Sequence, residues 1–199
     1  MKKIIVLPLL MLFYLAFSQE NGYKLGDKVN DFSLKNIDGN MISLNTNQSA
    51  KGYIIIFTCN HCPYAKLYED RIIALDEKYA KLGYPVIAIN PNDATKEPDD
   101  SYEKMKSKSK EKGFTFPYLV DESQSTAKAF GATRTPHVYI VQKNGSDFIL
   151  KYMGAIDDNP QNSADVDEKF VENTLNELQA GKSVSKNTTR AIGCTIKWK

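Results

Sequence analysis

The sequence predicts an α/β fold in which a central mixed sheet carries helices on both faces. The first observation is an unbroken apolar run from Tyr53 to Phe57, typical of a strand buried on both sides. The second is the alternation of apolar strands with amphipathic stretches, the pattern of parallel β-α-β units. The third is a Cys-x-x-Cys pair, Cys59 and Cys62, directly after the central run. We therefore expect one layered domain built around that pair.

The first eighteen residues have the pattern of a signal peptide. Lys2 and Lys3 precede an apolar run from Ile4 to Phe17, and Ala16-Phe17-Ser18 fits a small-x-small cleavage site. The apolar run is shorter than the roughly 20 residues that a spanning helix needs, and no cysteine follows it for lipid attachment. We expect export to the periplasm or the medium, without a stable membrane anchor after cleavage.

Residues 19–199 are expected to form a single domain, with residues 181–199 as a C-terminal tail. The formal net charge of +2 falls to zero without Lys2 and Lys3, so no electrostatic footprint for nucleic acid or anionic lipid is left. The basic run from Lys104 to Lys112 is interleaved with glutamates and serines, which is typical of a solvated helix face. Three cysteines are too few for a disulfide framework, so we expect them to serve chemistry.

Periodicity and turn residues place the remaining elements. The expected order is a hairpin in residues 25–44 turning at Asp38-Gly39, strand 53–57, helix 62–82, strand 86–89, helix 100–112, strand 116–120, helix 123–130, a hairpin of strands 138–141 and 148–153, and helix 165–180. Glycines at 83, 113, 131 and 181 follow the four helices, where a glycine commonly ends a helix.

The strand before and the helix after place both cysteines on the first turn of a helix. Free N–H groups and the positive dipole end favour a thiolate there, and the spacing of three suits a disulfide. We expect Cys59 to be the more exposed nucleophile and Cys62 to resolve the mixed disulfide. An imidazolium at His61 would stabilise the Cys59 thiolate and make the disulfide more oxidising. Half a zinc site or an inert disulfide is less consistent with this context.

The succession of elements resembles the thioredoxin fold, and more closely its redoxin branch, the alkyl hydroperoxide reductase/thiol-specific antioxidant group. The resemblance rests on Asn30 to Leu34 with Asp38-Gly39, on the cysteine motif, and on Thr133 to His137. It covers roughly residues 25–180. It implies a thioredoxin-like central mixed sheet with an N-terminal hairpin extension and a C-terminal helix plus tail. The implied activity is thiol–disulfide exchange with protein or small-molecule thiols and disulfides, without a cofactor or a metal.

The resemblance also implies a cis peptide bond between Thr135 and Pro136, beside the disulfide. Thr135 would then have a free backbone for an incoming partner, and Arg134, Thr135 and Pro136 are the expected substrate-binding residues. Many thioredoxin-like reductases carry a buried acid six residues before the first cysteine, where this chain has Tyr53. Because Glu69 and Asp70 are expected to face solvent, His61 and water are the candidate proton acceptors.

Two other functions are weighed against this one. The first is a peroxiredoxin-like peroxidase. Peroxiredoxins have the motif Pro-x-x-x-Thr-x-x-Cys, but this chain has Gly52 at the position of the proline and Ile56 at that of the threonine. Thr58 lies next to the cysteine, and Arg134 offers a guanidinium that could polarise a hydroperoxide. Thioredoxin-fold copper proteins use two cysteines, a proline and a distant histidine. In a copper- or zinc-binding module Cys62-Pro63 and His137 would take those roles, but the copper proteins have three residues between the cysteines.

Cys194 has several interpretations. An odd cysteine in an exported protein is free, pairs between chains, or resolves the active disulfide. The simplest expectation is a buried thiol that packs with Ile192, Ile196 and Trp198. The direction of the reaction, reductase or oxidase, depends on the redox potential, which the sequence does not give.

Overall fold

A mixed sheet of eight strands forms the centre of the molecule. The structure, a computed structural model, describes residues 22–199, so the predicted signal peptide lies outside the described residues. The strands are β1 (Lys28–Val29), β2 (Leu34–Asn36), β3 (Met41–Ile42), β4 (Gly52–Phe57), β5 (Val86–Asn90), β6 (Tyr118–Val120), β7 (Arg134–Thr135), β8 (His137–Asn144), β9 (Asp147–Gly154) and β10 (Cys194–Thr195). The large sheet has the order β1-β9-β8-β4-β5-β6-β2-β3, and β7 and β10 form a small second sheet.

Four α-helices connect and cover the strands. They are α1 (Pro63–Tyr79), α2 (Tyr102–Lys112), α3 (Ser125–Phe130) and α4 (Phe170–Gln179), and short 3-10 helices span Ala80–Leu82, Pro98–Asp100 and Ser163–Asp165. The helix predicted from Asp165 thus begins later, at Phe170. Asn162 caps the third 3-10 helix by accepting a hydrogen bond from the Ala164 N–H, so the polar loop continues beyond the predicted start.

The two faces of β4 contribute to two separate hydrophobic cores. Ile54 and Ile56 point into a core that contains residues of α1, α2 and α4. The alternate residues Tyr53, Ile55 and Phe57 pack with α3 and with the N-terminal segment. Because every residue of β4 is buried, the strand shows no polar alternation in sequence. Helices therefore cover both faces of the sheet, as predicted.

The carboxyl end of β4 is where the chain brings its polar residues together. β4 is parallel to β5 and antiparallel to β8, so Phe57 lies between Ile89 and His137. Since parallel strands end at the same edge of a sheet, the loops that follow β4 and β5 leave it side by side. The loop after β4 carries Cys59, and the loop after β5 leads to Asp100.

The C-terminal segment returns to this same edge. Thr188 forms a parallel bridge with Met153 of β9, and β10 then pairs antiparallel with β7. Ile196 is buried in the core on the α3 side of the sheet. Residues 181–199, predicted as a tail, therefore contribute a strand and a core side chain. Within residues 22–199, helices with the length and apolarity to span a membrane are absent.

Candidate active site

The two thiols of the Cys-x-x-Cys pair lie where β4 passes into α1. Cys62 is the N-cap residue of α1 and Pro63 occupies the first helical turn, where a missing N–H costs no hydrogen bond. Cys59 is 4% exposed and Cys62 is fully buried. Cys59 is thus the more exposed of the two, but both are covered. Among residues 22–199, all three cysteines are free thiols.

Thr135 contacts both sulfurs. Its Oγ1 lies 3.2 Å from Cys59 Sγ, and its carbonyl oxygen lies 3.1 Å from Cys62 Sγ, to which the Cys62 thiol donates while it keeps its hydrogen. The peptide bond between Thr135 and Pro136 is cis. Thr135, which lies on β7 and is distant in sequence from both cysteines, thereby contacts the two sulfurs at once.

The backbone of Thr135 is not free for a partner, contrary to expectation. It pairs with Cys194 in the antiparallel register of β7 and β10, and Arg134 pairs with Thr195. The expectation considered only the segment around the proline, whereas the C-terminal segment of the same chain fills this edge. The same segment covers the two thiols.

His61 joins the dithiol to a buried carboxylate. Its Nδ1 lies 3.5 Å from Cys59 Sγ and 2.6 Å from Oδ2 of Asp100. Because a carboxylate only accepts hydrogen bonds, Nδ1 carries the hydrogen and Asp100 fixes the tautomer. The other ring nitrogen, Nε2, lies 3.7 Å from the carboxylate of Glu97. The imidazole therefore has a thiol and two carboxylates within reach.

Asp100 is the site residue that sequence reasoning missed. Its side chain has no exposed surface and accepts four hydrogen bonds, from the backbone N–H groups of Asn60 and His61, from His61 Nδ1 and from the Asn92 amide. Asn90 ends β5 and Asn92 follows it, and these polar residues at a strand end are the signal in the sequence that points to a site. Such a set of donors stabilises a charge in the interior.

The two thiols of the Cys-x-x-Cys pair divide their protons unequally. The hydrogen bond between them lowers the pKa of Cys62 to about 4, and it raises the pKa of Cys59. Burial and the Asp100 carboxylate add to the rise of the Cys59 pKa, because both disfavour a second negative charge. The reduced pair thus holds one proton between its sulfurs at neutral pH.

The sequence model of the AhpC/TSA family matches residues 25–146 of this chain. This match covers more than half of the chain, including β4, the cysteine motif and the Thr135-Pro136 segment. The chain belongs to the AhpC/TSA family. The redoxin resemblance read from the sequence is confirmed, and so is the thioredoxin-like fold, which solved structures of lower identity share.

Individual relatives of this AhpC/TSA protein include one with a named activity. The thiol-disulfide oxidoreductase ResA of Geobacillus thermodenitrificans (strain NG80-2) is 26% identical over 132 residues, 65% of this chain and 70% of ResA. An uncharacterized conserved protein from Geobacillus kaustophilus is 39% identical with a TM-score of 0.82, over 90% of this chain and 94% of its own. A hypothetical protein from Sinorhizobium meliloti 1021 is 34% identical with a TM-score of 0.82, over 90% and 97%.

Glu69 does not face solvent as expected. It is 6% exposed on α1, and its two carboxylate oxygens lie 3.3 Å from Lys108 Nζ and 3.0 Å from Lys112 Nζ. The basic face of α2, predicted to be solvated, covers this acid in part. Glu69 and Cys59 also line the same small cavity. The AhpC/TSA protein therefore has two buried acids near the dithiol, and neither lies six residues before Cys59.

Three side chains that could hold a metal ion meet at the dithiol. One ligand atom each from Cys59, His61 and Asp100 lies within 4.8 Å of the others. His137, the histidine expected in a metal site, is not one of them. It contacts the Tyr139 hydroxyl at 3.2 Å, and burial lowers its pKa to about 4. It is the partly buried strand residue that the sequence also suggested.

The remaining candidate residues lie around the dithiol. Arg134, considered for a hydroperoxide, is half-buried on β7. Thr58 is buried, and its N–H donates to the Ile89 carbonyl, which extends the pairing of β4 with β5. Cys194 is half-buried and packs against the cluster of Cys59, Cys62 and Ala65, whereas its expected neighbour Ile192 is 41% exposed. The fully buried thiol packed with Ile192 that the sequence suggested is therefore not what the structure has.

Proposed function

We propose that this chain is an exported thiol–disulfide oxidoreductase whose redox-active groups are Cys59 and Cys62. The observation that carries the proposal is the pair of thiols at the junction of β4 and α1, with Cys62 as the N-cap residue of the helix and both sulfurs in contact with Thr135. The activity in the name of the relative ResA agrees with this chemistry. Its substrates are protein or small-molecule thiols and disulfides.

The reaction exchanges one disulfide for another. The Cys59 thiolate attacks a substrate disulfide, a Cys59–substrate bond forms, and one substrate sulfur leaves and takes up a proton. The Cys62 thiolate then attacks Cys59 Sγ, which closes the internal disulfide and releases the second substrate sulfur. The substrate gains two electrons and the dithiol loses two. In the oxidising direction the same steps run in reverse.

In the reduced pair the hydrogen bond from the Cys59 thiol lowers the pKa of Cys62. That bond is lost once Cys59 is bonded to substrate, so Cys62 gives up its own proton when it attacks in the second step. For the first step the proton shared by the pair passes to Cys62, and the Cys59 thiolate accepts a hydrogen bond from Thr135 Oγ1 at 3.2 Å. The His61 ring lies 3.5 Å away, with its Nδ1 hydrogen donated to Asp100. Asp100 orients the imidazole and is a positioning residue.

Substrate binding is assigned to Arg134, Thr135 and Pro136, which border the dithiol. An extended substrate would pair with β7, the edge that β10 occupies in this structure. Binding of a peptide there requires β10 to leave. Export is proposed from the pattern of residues 1–18, and expression with and without this segment, followed by fractionation, tests it.

The test of the reaction is the replacement of each cysteine. Cys59→Ser and Cys62→Ser should both lose turnover of a model disulfide, and only Cys62→Ser should accumulate a mixed disulfide with substrate. Full activity of Cys59→Ser would contradict the proposal. Equilibration of the wild-type protein with glutathione then gives the direction: a potential near −270 mV, as in thioredoxin, indicates a reductase and a markedly higher one an oxidant. Stopped-flow oxidation with hydrogen peroxide would reveal a peroxidase instead.

Metal binding is a second candidate, favoured by the proximity of Cys59, His61 and Asp100. A thiolate, an imidazole and a carboxylate together suit Zn(II) better than Cu(I), which prefers sulfur ligands. Anaerobically purified protein would then contain stoichiometric zinc, and both Cys59→Ser and Asp100→Asn would lose it. Protein that purifies without metal and does not bind added zinc contradicts this candidate.

A further inference from the structure

The C-terminal segment lies against the dithiol in the way an extended substrate would. β10 pairs antiparallel with β7, which places Cys194 opposite Thr135. Gly193 approaches so closely that a Cβ on it would lie 2.2 Å from the Thr135 carbonyl oxygen. A side chain at that position would therefore push the segment off the edge. Strand addition at this edge is a mode of peptide recognition, and here the peptide belongs to the chain itself.

The segment is held in this place by dedicated contacts. The Lys197 N–H donates to the Asn92 side chain at 2.8 Å, and the same side chain donates to Asp100 at 2.7 Å. The buried amide of Gln124 donates to the Lys197 carbonyl and accepts from the Lys199 N–H, both at 2.9 Å. Position and register of the segment are thus tied to the network that orients His61.

Cys194 is the thiol of the cluster that is most open to solvent. It is half-buried, whereas Cys59 and Cys62 are covered. It packs against the cluster of Cys59, Cys62 and Ala65, and burial together with the neighbouring Cys62 raises the pKa of Cys194 to about 11. The contribution of Cys62 disappears when Cys62 is part of a disulfide. Cys194 is therefore a better nucleophile against the oxidised pair than against the reduced one.

We propose that Cys194 is a third redox cysteine, which exchanges with the Cys59–Cys62 disulfide and carries it to the surface. The Cys194 thiolate attacks Cys62 Sγ, the Cys62–Cys194 bond forms, and the Cys59–Cys62 bond breaks. Cys59 leaves as a thiolate and takes up the proton that Cys194 gave up. The number of disulfides is unchanged, so this step needs no external oxidant. An external thiolate then attacks Cys194, the sulfur it reaches most readily; the Cys62–Cys194 bond breaks and Cys62 leaves as a thiolate. A second external thiol attacks the mixed disulfide and releases Cys194, so the two external thiols are oxidised to a disulfide and the protein is reduced.

This inference rests on the proposed function, because it requires Cys59 and Cys62 to form a disulfide. The first experiment oxidises Cys59→Ser with diamide and maps disulfides by alkylation and mass spectrometry. A Cys62–Cys194 bond within the monomer is expected. The matched control, Cys62→Ser, should form a Cys59–Cys194 disulfide in lower yield, because in the wild-type protein Cys194 interacts with the Cys62 side chain. Free Cys62 and Cys194 in the first variant, or equal yields in the two, would overturn the inference.

The second experiment compares reduction of the oxidised wild type and oxidised Cys194→Ser by dithiothreitol. Without Cys194, dithiothreitol has to reach the covered Cys59–Cys62 disulfide directly, so oxidised Cys194→Ser should be reduced several-fold more slowly than oxidised wild type. Equal rates would overturn the relay. Cys194→Ala and a thermal melt show whether the fold is intact. If neither protein forms the Cys59–Cys62 disulfide at all, the proposed function itself has failed, which separates the two outcomes.

Discussion

The two histidines of the chain lie at the same end of the sheet and have opposite surroundings. His61 has its Nδ1 2.6 Å from Asp100 and 3.5 Å from Cys59 Sγ. His137, opposite Phe57 in the sheet, contacts the Tyr139 hydroxyl, and burial alone lowers its pKa to about 4. The difference teaches that a buried carboxylate partner orients the histidine beside the thiols, whereas the other histidine has only a packing environment.

The largest expected effect comes from removing the Asp100 carboxylate, which holds the His61 imidazole in place. Asp100→Ala leaves two backbone N–H groups, the Asn92 amide and His61 Nδ1 without their acceptor. Since these groups stay buried, the free energy of unfolding should fall by about 3–5 kcal/mol. Urea unfolding followed by circular dichroism measures it.

The neighbouring Asp99 is the control for that substitution. Its side chain is exposed, and its contact with the site, a bond from the Asn60 amide, uses the backbone carbonyl. Asp99→Ala should therefore change the free energy of unfolding by less than about 1 kcal/mol. Similar losses in the two variants would show that Asp100 does not stabilise the loop through its hydrogen bonds.

The second prediction uses the pH dependence of stability to test whether His137 is a buried, neutral imidazole. Because burial lowers the folded-state pKa from 6.5 to about 4, the unfolded chain binds a proton between these values while the folded one does not. This group's contribution to stability is therefore complete above pH 6.5 and is lost as the pH falls to 4. The difference amounts to about 3 kcal/mol. His137→Gln should remove that part of the pH dependence, and unfolding curves from pH 4 to 7.5 measure it; parallel curves for the two proteins would contradict a buried neutral imidazole.

The strand-to-helix junction that carries the two cysteines is predictable from the sequence because its signal is local. The apolar run of β4, the change of period after Cys62 and the glycine after each helix lie within a few residues of one another. These features determine the strand-to-helix junction. They also determine that His61 lies on it.

The residues that contact this strand-to-helix junction come from distant parts of the chain, so local sequence patterns do not reveal them. Asp100 meets His61 across 39 residues of sequence, in the loop that follows a neighbouring strand. Cys194 reaches Thr135 through the pairing of two strands of two residues each. Glu69 was expected at the surface from its helical position, but the lysines of α2 cover it. A short strand or a single buried acid leaves no period in a sequence.

The smallest expected effect concerns the chemistry of His61 itself. The His61 ring stands between Cys59 and the Asp100 carboxylate, whose charge raises the Cys59 pKa. Loss of the ring leaves the carboxylate facing the sulfur and should raise that pKa further. The disulfide then becomes harder to reduce. An effect of about 1 kcal/mol corresponds to tens of millivolts, since 1.4 kcal/mol is about 30 mV for two electrons. His61→Ala should lower the reduction potential by that amount in glutathione equilibration and leave the Cys59–Cys62 disulfide able to form.

His137→Gln, the matched control, should leave the potential unchanged. Thiolate absorbance of the reduced proteins tests the cause: titration curves that coincide for wild type and His61→Ala would mean that the helix terminus alone sets the thiol chemistry.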